Sequence, residues 1–357
     1  MKVAVLGDTH FGVRNDNQAF HDYYEKFYRD VFFPYLKENN ITRIIQLGDL
    51  FDRRKYVNFY TLKRSKEYFF DKIVEHGMFM YMFVGNHDTY FKNTNEVNSP
   101  ELLLRDEYQN FMEIYSEPAN VVLQDGTEVA MLPWVCSGNY EESMKFISNT
   151  PAQILFGHLE LAGFEMHRGA INDHGMDAKP FDKFDLVMSG HYHHKSSRGN
   201  IHYLGTPYEM TWSDYNDPRG FHIFDTETRE LEFVVNPYKM FQKWFYNDQA
   251  WEDQSFIDTL NFAEAKDAFV KVVVKSKTNP YWFDMYVDRL EKAGALDIQV
   301  VEDNLNLQLE DDEDIVDEAE DTLTILKNYA NMINSTVDNN ELNKFLSELY
   351  TEALAVE

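Results

Sequence analysis

Five short stretches carry side chains of the kinds that bind metal ions. They are Asp8 and His10 in "GDTH", Asp49 and Asp52 in "GDLFD", Asn86, His87 and Asp88 in "GNHD", His158 in "GH", and His191, His193 and His194 in "GHYHH". Carboxylate oxygens and neutral imidazole nitrogens suit divalent manganese, iron or zinc, and a shared carboxylate can hold two such ions a few ångströms apart. A pair of ions neutralises a phosphodiester and lowers the pKa of a water between them, so hydrolysis needs no covalent nucleophile. The chemistry expected is metal-assisted cleavage of a phosphate ester.

Taken singly, each motif is weak. A Gly-Asp pair such as 48–49 is commonly a turn, a lone histidine such as His158 is commonly a hydrogen-bonded core residue, and Asp8 alone would serve as a helix cap. Repetition on five turns outweighs those readings. On extended backbone Asp8 and His10 point the same way, and so do His191 and His193, whereas His194 points elsewhere and is expected outside the ligand set. His167, His174, His202 and His222 have no comparable neighbours and are read as ordinary residues.

Each of the five turns follows an apolar run: "VAVL" before Gly7, "RIIQL" before Gly48, "YMFV" before Gly85, "ILF" before Gly157 and "DLVMS" before Gly190. Such runs read as buried strands, and ligands gather at strand C-termini in open α/β sheets. Helical spacing over 18–37 and 61–76 alternates with them, and hairpin-like strands appear at 128–134, 201–205 and 220–235. The fold class expected is α/β with a mixed sheet. "DAFVKVVVKS", "NPYWFDMYVDRLEKAG" and "LDIQVV" between 267 and 301 predict a small strand-helix-strand unit, with Pro280 in the first helical turn. Residues 310–321 hold nine acids and no base and read as a solvated linker. Beyond them, apolar residues including Phe345, Leu346 and Leu349 fall at helical spacing on two short helices. The divisions expected are 1–240, 241–309, 310–321 and 322–357.

A formal charge of -28, from 61 acids against 33 bases, argues against gripping nucleic acid through a broadly basic surface. It leaves metal enzymes acting on phosphates open, because bound cations invert the local field. Cys136 is the single cysteine, no stretch is long and apolar enough to span a membrane, and a cytoplasmic protein is expected.

In order and spacing, the five motifs resemble those of calcineurin-like metallophosphoesterases. "LGTPYEMTWSD" at 204–214 and "DPRGFHIFD" at 217–225 resemble one branch specifically, the double-strand-break-repair nucleases that include SbcD-like bacterial enzymes and T-even phage recombination nucleases. The resemblance implies a metallophosphoesterase sandwich in 1–240, a capping domain for DNA in 241–309 and C-terminal helices in 322–357 that dock an SMC-like coiled-coil ATPase. It also implies two divalent ions, manganese foremost with magnesium as the alternative. Asp8, His10, Asp49 and His193 would hold one ion, and Asp49, Asn86, His158 and His191 the other. His87 would position the phosphate or assist the leaving oxygen. Archaeal and eukaryotic members commonly carry histidine where this chain has Asp52, so the resemblance assigns Asp52 no role. The function implied is a DNA exonuclease or endonuclease, acting as a homodimer in recombination and double-strand-break processing.

Two rivals remain. A phosphoesterase for small diesters would share the metal motifs, which do not choose the substrate. The accessory region 240–357 and the two branch-specific stretches favour the nuclease. A non-catalytic scaffold of the same fold would show degenerate ligands, and none is degenerate here.

Overall fold

From the strand Lys2–Leu6, Val3 and Val5 point to one face and Ala4 and Leu6 to the other, and all four are buried. A strand covered on both sides reads as an unbroken apolar run, which is how this segment appears in the sequence. In the computed structural model, which describes residues 1–167 and 170–302, it lies third in a six-stranded sheet. The order is Leu231–Val235, Gly220–Asp225, Lys2–Leu6, Arg43–Gln46, Phe79–Phe83, Met112–Tyr115. The last four strands are parallel, and the first two join antiparallel.

A second six-stranded sheet runs Ser196–Arg198, Ile201–Tyr203, Leu186–Gly190, Ile154–His158, Glu128–Leu132, Ala119–Val122. Its centre is parallel and both edges are antiparallel, so the hairpin character expected of the later strands and the parallel character of the apolar runs are both present. Val3, Val5, Ile45 and Phe83 of the first sheet meet Met131, Phe156 and Met188 of the second in one core. The result is a mixed-sheet sandwich, and the five apolar runs are its central strands.

Helices cover the outer faces. The helix expected at 18–37 spans Gln18–Glu38 and includes a π-helical turn at Tyr28–Phe32. The one expected at 61–76 spans Phe59–Glu75, again with a π-turn, at Lys66–Phe70. It starts two residues early because the Asn58 side chain accepts the Tyr60 N–H at 2.8 Å, a cap that apolar spacing does not reveal. Both π-turns carry inward aromatic residues, and the Tyr28 and Phe69 rings meet at 4.7 Å. Among the described residues no helix is long and apolar enough to cross a membrane.

Two buried histidines in this frame give it an acid limit. The Thr61 hydroxyl donates to Asp16 at 2.6 Å, so it can only accept from His21 Nε2 at 2.9 Å, while Tyr68 donates to His21 Nδ1 at 3.1 Å. His21 is thereby held neutral, and burial followed by the Arg64 charge lowers it to about 4. His222, packed against Phe233, is lowered to about 3 by burial and then by Lys195 and His202. A depressed pKa gives stability that is complete above the ordinary value of 6.5 and is lost as pH falls toward the folded value. Urea unfolding at pH 5 is therefore expected to show roughly 1–2 kcal/mol less stability per histidine than at pH 7.5. His222→Gln should flatten that dependence, and an unaltered slope would refute the assignment.

The small unit expected after 240 is a three-stranded parallel sheet, Phe241–Asn247, Phe269–Ser276 and Asp297–Glu302, with the helix Pro280–Ala293 crossing over between the last two. Asn279 caps that helix, Pro280 fills its first turn, and Gly294 ends it at φ 94. Tyr246, Val270, Val272, Phe283, Tyr286 and Leu290 form a core of its own. The acidic stretch 310–321, the helices of 322–357 and the end of the 241–309 unit lie outside the described residues.

Candidate active site

The central strands of both sheets end along one rim, and each ligand-type residue sits in the turn that follows its strand or at the strand's last position. Close approach sets the glycines. A Cβ on Gly85 would fall 2.2 Å from Asp49 Oδ1, and one on Gly190 would fall 2.3 Å from Asp8 Oδ1. The turns can nest only because those side chains are missing.

The backbone at the ligand positions differs from the extended reading. His10, Asp49 and His191 have φ of 40°, 51° and 85°, which L-residues adopt only when their surroundings enforce it. Asp8 and His10 therefore do not share a face through strand alternation. The Thr9 and His10 N–H groups both donate to the Asp49 carbonyl, at 3.1 and 3.0 Å, and that turn brings the two side chains together. His191 and His193 likewise diverge, because Leu186–Gly190 ends before them and the chain turns at His191.

What results is two clusters with Asp49 between them, and a third group, His10 with Asp52 and His87, that shares His10 with the first. Ligand atoms of Asp8, His10 and His193 lie within 4.8 Å of one another, as do those of Asp49, His158 and His191. Asp49 Oδ2 stands 3.7 Å from His10 Nε2 and 3.3 Å from His158 Nε2, so the carboxylate faces both groups. Asn86 Oδ1 joins the second, 2.8 Å from His158 Nε2 and 2.9 Å from His191 Nδ1. Asp8 is held by the His191 N–H at 2.9 Å.

The donor set calls for positive charge. His158 Nδ1 faces the Leu47 carbonyl at 2.8 Å and must donate to it, which leaves Nε2 directed at two oxygens that can only accept. His10 Nε2 and His193 Nε2 face each other at 3.1 Å. At His158 only a second ring proton or a cation reconciles these contacts, whereas the His10–His193 pair is satisfied when one neutral ring donates its Nε2–H to the other. Burial lowers His158 and His10, yet Asp49 with Asp8 for the first, and Asp52 with Asp49 for the second, hold both up at about 9. Burial, reinforced by Asp49, raises Asp8 to about 7 against the pull of His158. Asp49 itself is held well below the carboxylate range, because His158 and His87 outweigh its burial. His191 is lowered by burial and by the His158 charge, which keeps it a neutral imidazole. Divalent ions fit this set: they supply the charge that the imidazoles would otherwise take up as protons.

Other residues frame the clusters. Asp88, a ligand type by sequence, instead accepts backbone N–H groups from Leu50 at 2.9 Å, Phe51 at 3.3 Å and Gly85 at 2.9 Å, tying the second turn to the third. Asp52 Oδ1 lies 3.4 Å from His10 Nδ1. His87 Nδ1 donates to the Asp52 carbonyl at 2.6 Å, which leaves Nε2 as its working end. His194 stands apart, 2.8 Å from Asp217 and 3.4 Å from Glu165.

Sequence reading missed Arg219 and Trp134. The buried Arg219 guanidinium meets Asp214 at 2.6 Å and Asp217 at 2.9 Å and donates to the His193 carbonyl, so it fixes the turn carrying that histidine. "DPRGF" was the signal. Trp134 packs 5.2 Å from the His191 ring, and it follows its strand without any ligand-like signature.

A two-sheet sandwich with acids, imidazoles and an amide converging at its strand ends defines the class. The chain belongs to the calcineurin-like phosphoesterase family, whose sequence model matches residues 1–195. It is an enzyme of that family, as the five motifs imply. Among individual proteins, it is 32% identical to exonuclease subunit 1 of Enterobacteria phage T4 over 356 residues, 99% of each chain. It is 24% identical to a subunit of the nuclease SbcCD from Staphylococcus epidermidis over 259 residues, 65% of this chain and 67% of that one.

Proposed function

We propose that the chain is a manganese-dependent DNA nuclease, cutting phosphodiester bonds during recombination and double-strand-break processing. One observation carries the reading: Asp49 stands between two ligand clusters, 3.7 Å from His10 and 3.3 Å from His158. Asp8, His10, Asp49 and His193 would hold one ion, and Asp49, Asn86, His158 and His191 the other. Bound divalent ions supply Lewis acidity and neutralise phosphate charge. His87 then has the chain's own part in the chemistry. With Nδ1 committed to the Asp52 carbonyl, its Nε2 is the group that orients the phosphate or protonates the departing oxygen. DNA as substrate is supported by the relatives named exonuclease and nuclease. Both are also named as subunits, which supports a partner. We take that partner to be an SMC-like coiled-coil ATPase, docked by residues 322–357, with the nuclease itself a homodimer.

The test is purified full-length protein in manganese, magnesium or chelator, offered linear double-stranded DNA beside bis-p-nitrophenyl phosphate. Manganese-dependent cutting of DNA is expected. Turnover of the small diester with DNA left whole would instead favour a general phosphoesterase.

The basic residues after the second turn divide under this reading. Arg53 is committed, donating to Asp16 at 2.9 Å, Asn15 at 2.7 Å and the Tyr56 hydroxyl at 2.8 Å. Arg54 keeps a buried guanidinium nitrogen without a hydrogen-bond partner, and burial lowers its pKa despite the field of Asp49. A substrate phosphate would satisfy it. Arg54→Ala is expected to raise KM for DNA roughly 10-fold with a smaller change in kcat, as loss of one charged hydrogen bond does. An unchanged KM would remove Arg54 from the phosphate site.

A further inference from the structure

His158 and His191 are held in the second ligand group by different means. His158 is turned by a hydrogen bond, its Nδ1–H donating to the Leu47 carbonyl at 2.8 Å. Ligand imidazoles are ordinarily oriented in this way, through the ring nitrogen that does not face the ion. His191 has no such anchor. Among the described residues its ring makes one hydrogen bond, with Asn86 Oδ1 at 2.9 Å, and Asn86 belongs to the same group. Its backbone stands at φ 85°, past the end of the strand Leu186–Gly190. The angle of the ring is therefore left to packing.

Three rings pack around it, with centres 5.1 to 5.2 Å away: His158, Tyr192 and Trp134. Tyr192 is fixed in the core, where its hydroxyl donates to the Leu161 carbonyl at 3.0 Å. Trp134 is the one that serves both imidazoles. Its plane lies 39° from that of His191, and it meets His158 near edge-on, at 6.0 Å and 73°.

The backbone puts the indole there. The strand Glu128–Leu132 ends beside Ile154–His158, with Leu132 opposite Gly157, and Trp134 follows two residues on. Its N–H donates to the Val84 carbonyl at 2.8 Å, and its own carbonyl accepts from the buried side chains of Asn95 at 2.9 Å and Asn139 at 3.0 Å. Val84 leads into the turn that carries Asn86, so the same clamp ties the indole to a third member of the group. The polar end of the indole has no part in this. Its nitrogen is buried and no described group accepts from it, although a buried tryptophan ordinarily finds a partner. What Trp134 supplies at this place is a flat, rigidly mounted surface against two imidazoles.

We propose that Trp134 is a positioning residue of the active site, setting His191 and His158 for the second ion. The inference rests on the two-ion reading and deepens it, because it makes one ion depend on a side chain that is not a ligand.

The test counts manganese and does not use turnover. Metal-free full-length protein is titrated with manganese, and the free ion is read by electron paramagnetic resonance. Wild-type protein is expected to take up two ions per chain. Trp134→Leu keeps apolar bulk and removes the flat ring; it should weaken one ion by about 10- to 100-fold, the usual loss when a ligand's support is removed, and leave the other as it was. Trp134→Phe restores a flat ring without the N–H and should recover most of that affinity. Added to His10→Ala, Trp134→Leu should weaken the ion that remains; added to His191→Ala it should change nothing further, since the ligand it supports is already gone. The half-buried site should leave the metal-free thermal midpoint of Trp134→Leu near that of wild type, and Trp134→Met gives a second reading if it falls. Equal weakening of both ions, no weakening of either, or a loss that Trp134→Phe does not recover would overturn the proposal. Cleavage of linear DNA by the same wild-type preparation separates the two ideas. If DNA is cut while Trp134→Leu binds both ions normally, the inference falls alone; if one ion responds to Trp134 while DNA stays whole, the nuclease reading falls alone.

Discussion

Asp49→Asn is expected to abolish turnover, by on the order of 10³-fold or more, and to lower bound metal from two ions per chain in excess manganese. The asparagine keeps the shape of the side chain and still accepts the His87 N–H, which donates to Asp49 Oδ1 at 2.7 Å, so the third turn stays in place. What disappears is the charge facing His10 and His158. Without it, burial is opposed mainly by Asp8 at His158 and by Asp52 at His10, and both imidazoles lose much of the support that holds them near 9. The metal-free variant should therefore titrate these histidines at lower pH by NMR, a readout independent of activity. Metal analysis and the DNA assay complete the test. Unchanged stoichiometry together with unchanged turnover would remove Asp49 from the centre of the site.

The second large effect is expected at His87, and it separates chemistry from binding. His87→Ala should lose about 10²-fold in turnover, the usual scale for a positioned acid or charge stabiliser, while retaining both ions and its affinity for DNA. The half-buried ring stands 4.8 Å from that of His10 at a near-perpendicular angle, and its fixed Nδ1–H leaves Nε2 for the reacting group. His87→Gln retains a polar donor without a titratable nitrogen. If His87 acts as an acid, the glutamine should stay slow and lose the basic limb of the pH–rate profile. If it only orients the phosphate, the glutamine should recover much of the rate. Metal content falling in step with activity would show that His87 is itself a ligand.

Much of this architecture is legible in the sequence because parallel, doubly covered strands leave a continuous apolar signature. The turns after them concentrate residue types that cores reject. Lys2–Leu6, Arg43–Gln46, Phe79–Phe83, Ile154–His158 and Leu186–Gly190 are all visible as short apolar runs ending in glycine-bearing turns or at a terminal histidine. Spacing also suffices to place the helix of the strand-helix-strand segment between 267 and 301, since Pro280 and Gly294 punctuate it at the positions where helices start and stop.

The tertiary structure decides how those turns are arranged, and period-two reasoning fails there for a physical reason. Once a strand leaves its sheet, ladder hydrogen bonds no longer fix φ, and contacts with other turns take over. Asp49 draws the N–H groups of Thr9 and His10, which tips His10 to φ 40° and sends it toward His193, 183 residues away. Asp88 has the composition of a ligand, yet it spends its oxygens on Leu50, Phe51 and Gly85. Arg219 has no ligand signature, yet it anchors the turn of His193. Residue type alone determines that a rim of ligand-type side chains exists. Which imidazole faces which carboxylate depends on lone-pair directions and close approaches between segments far apart in the chain, and only the packed sandwich brings those into contact.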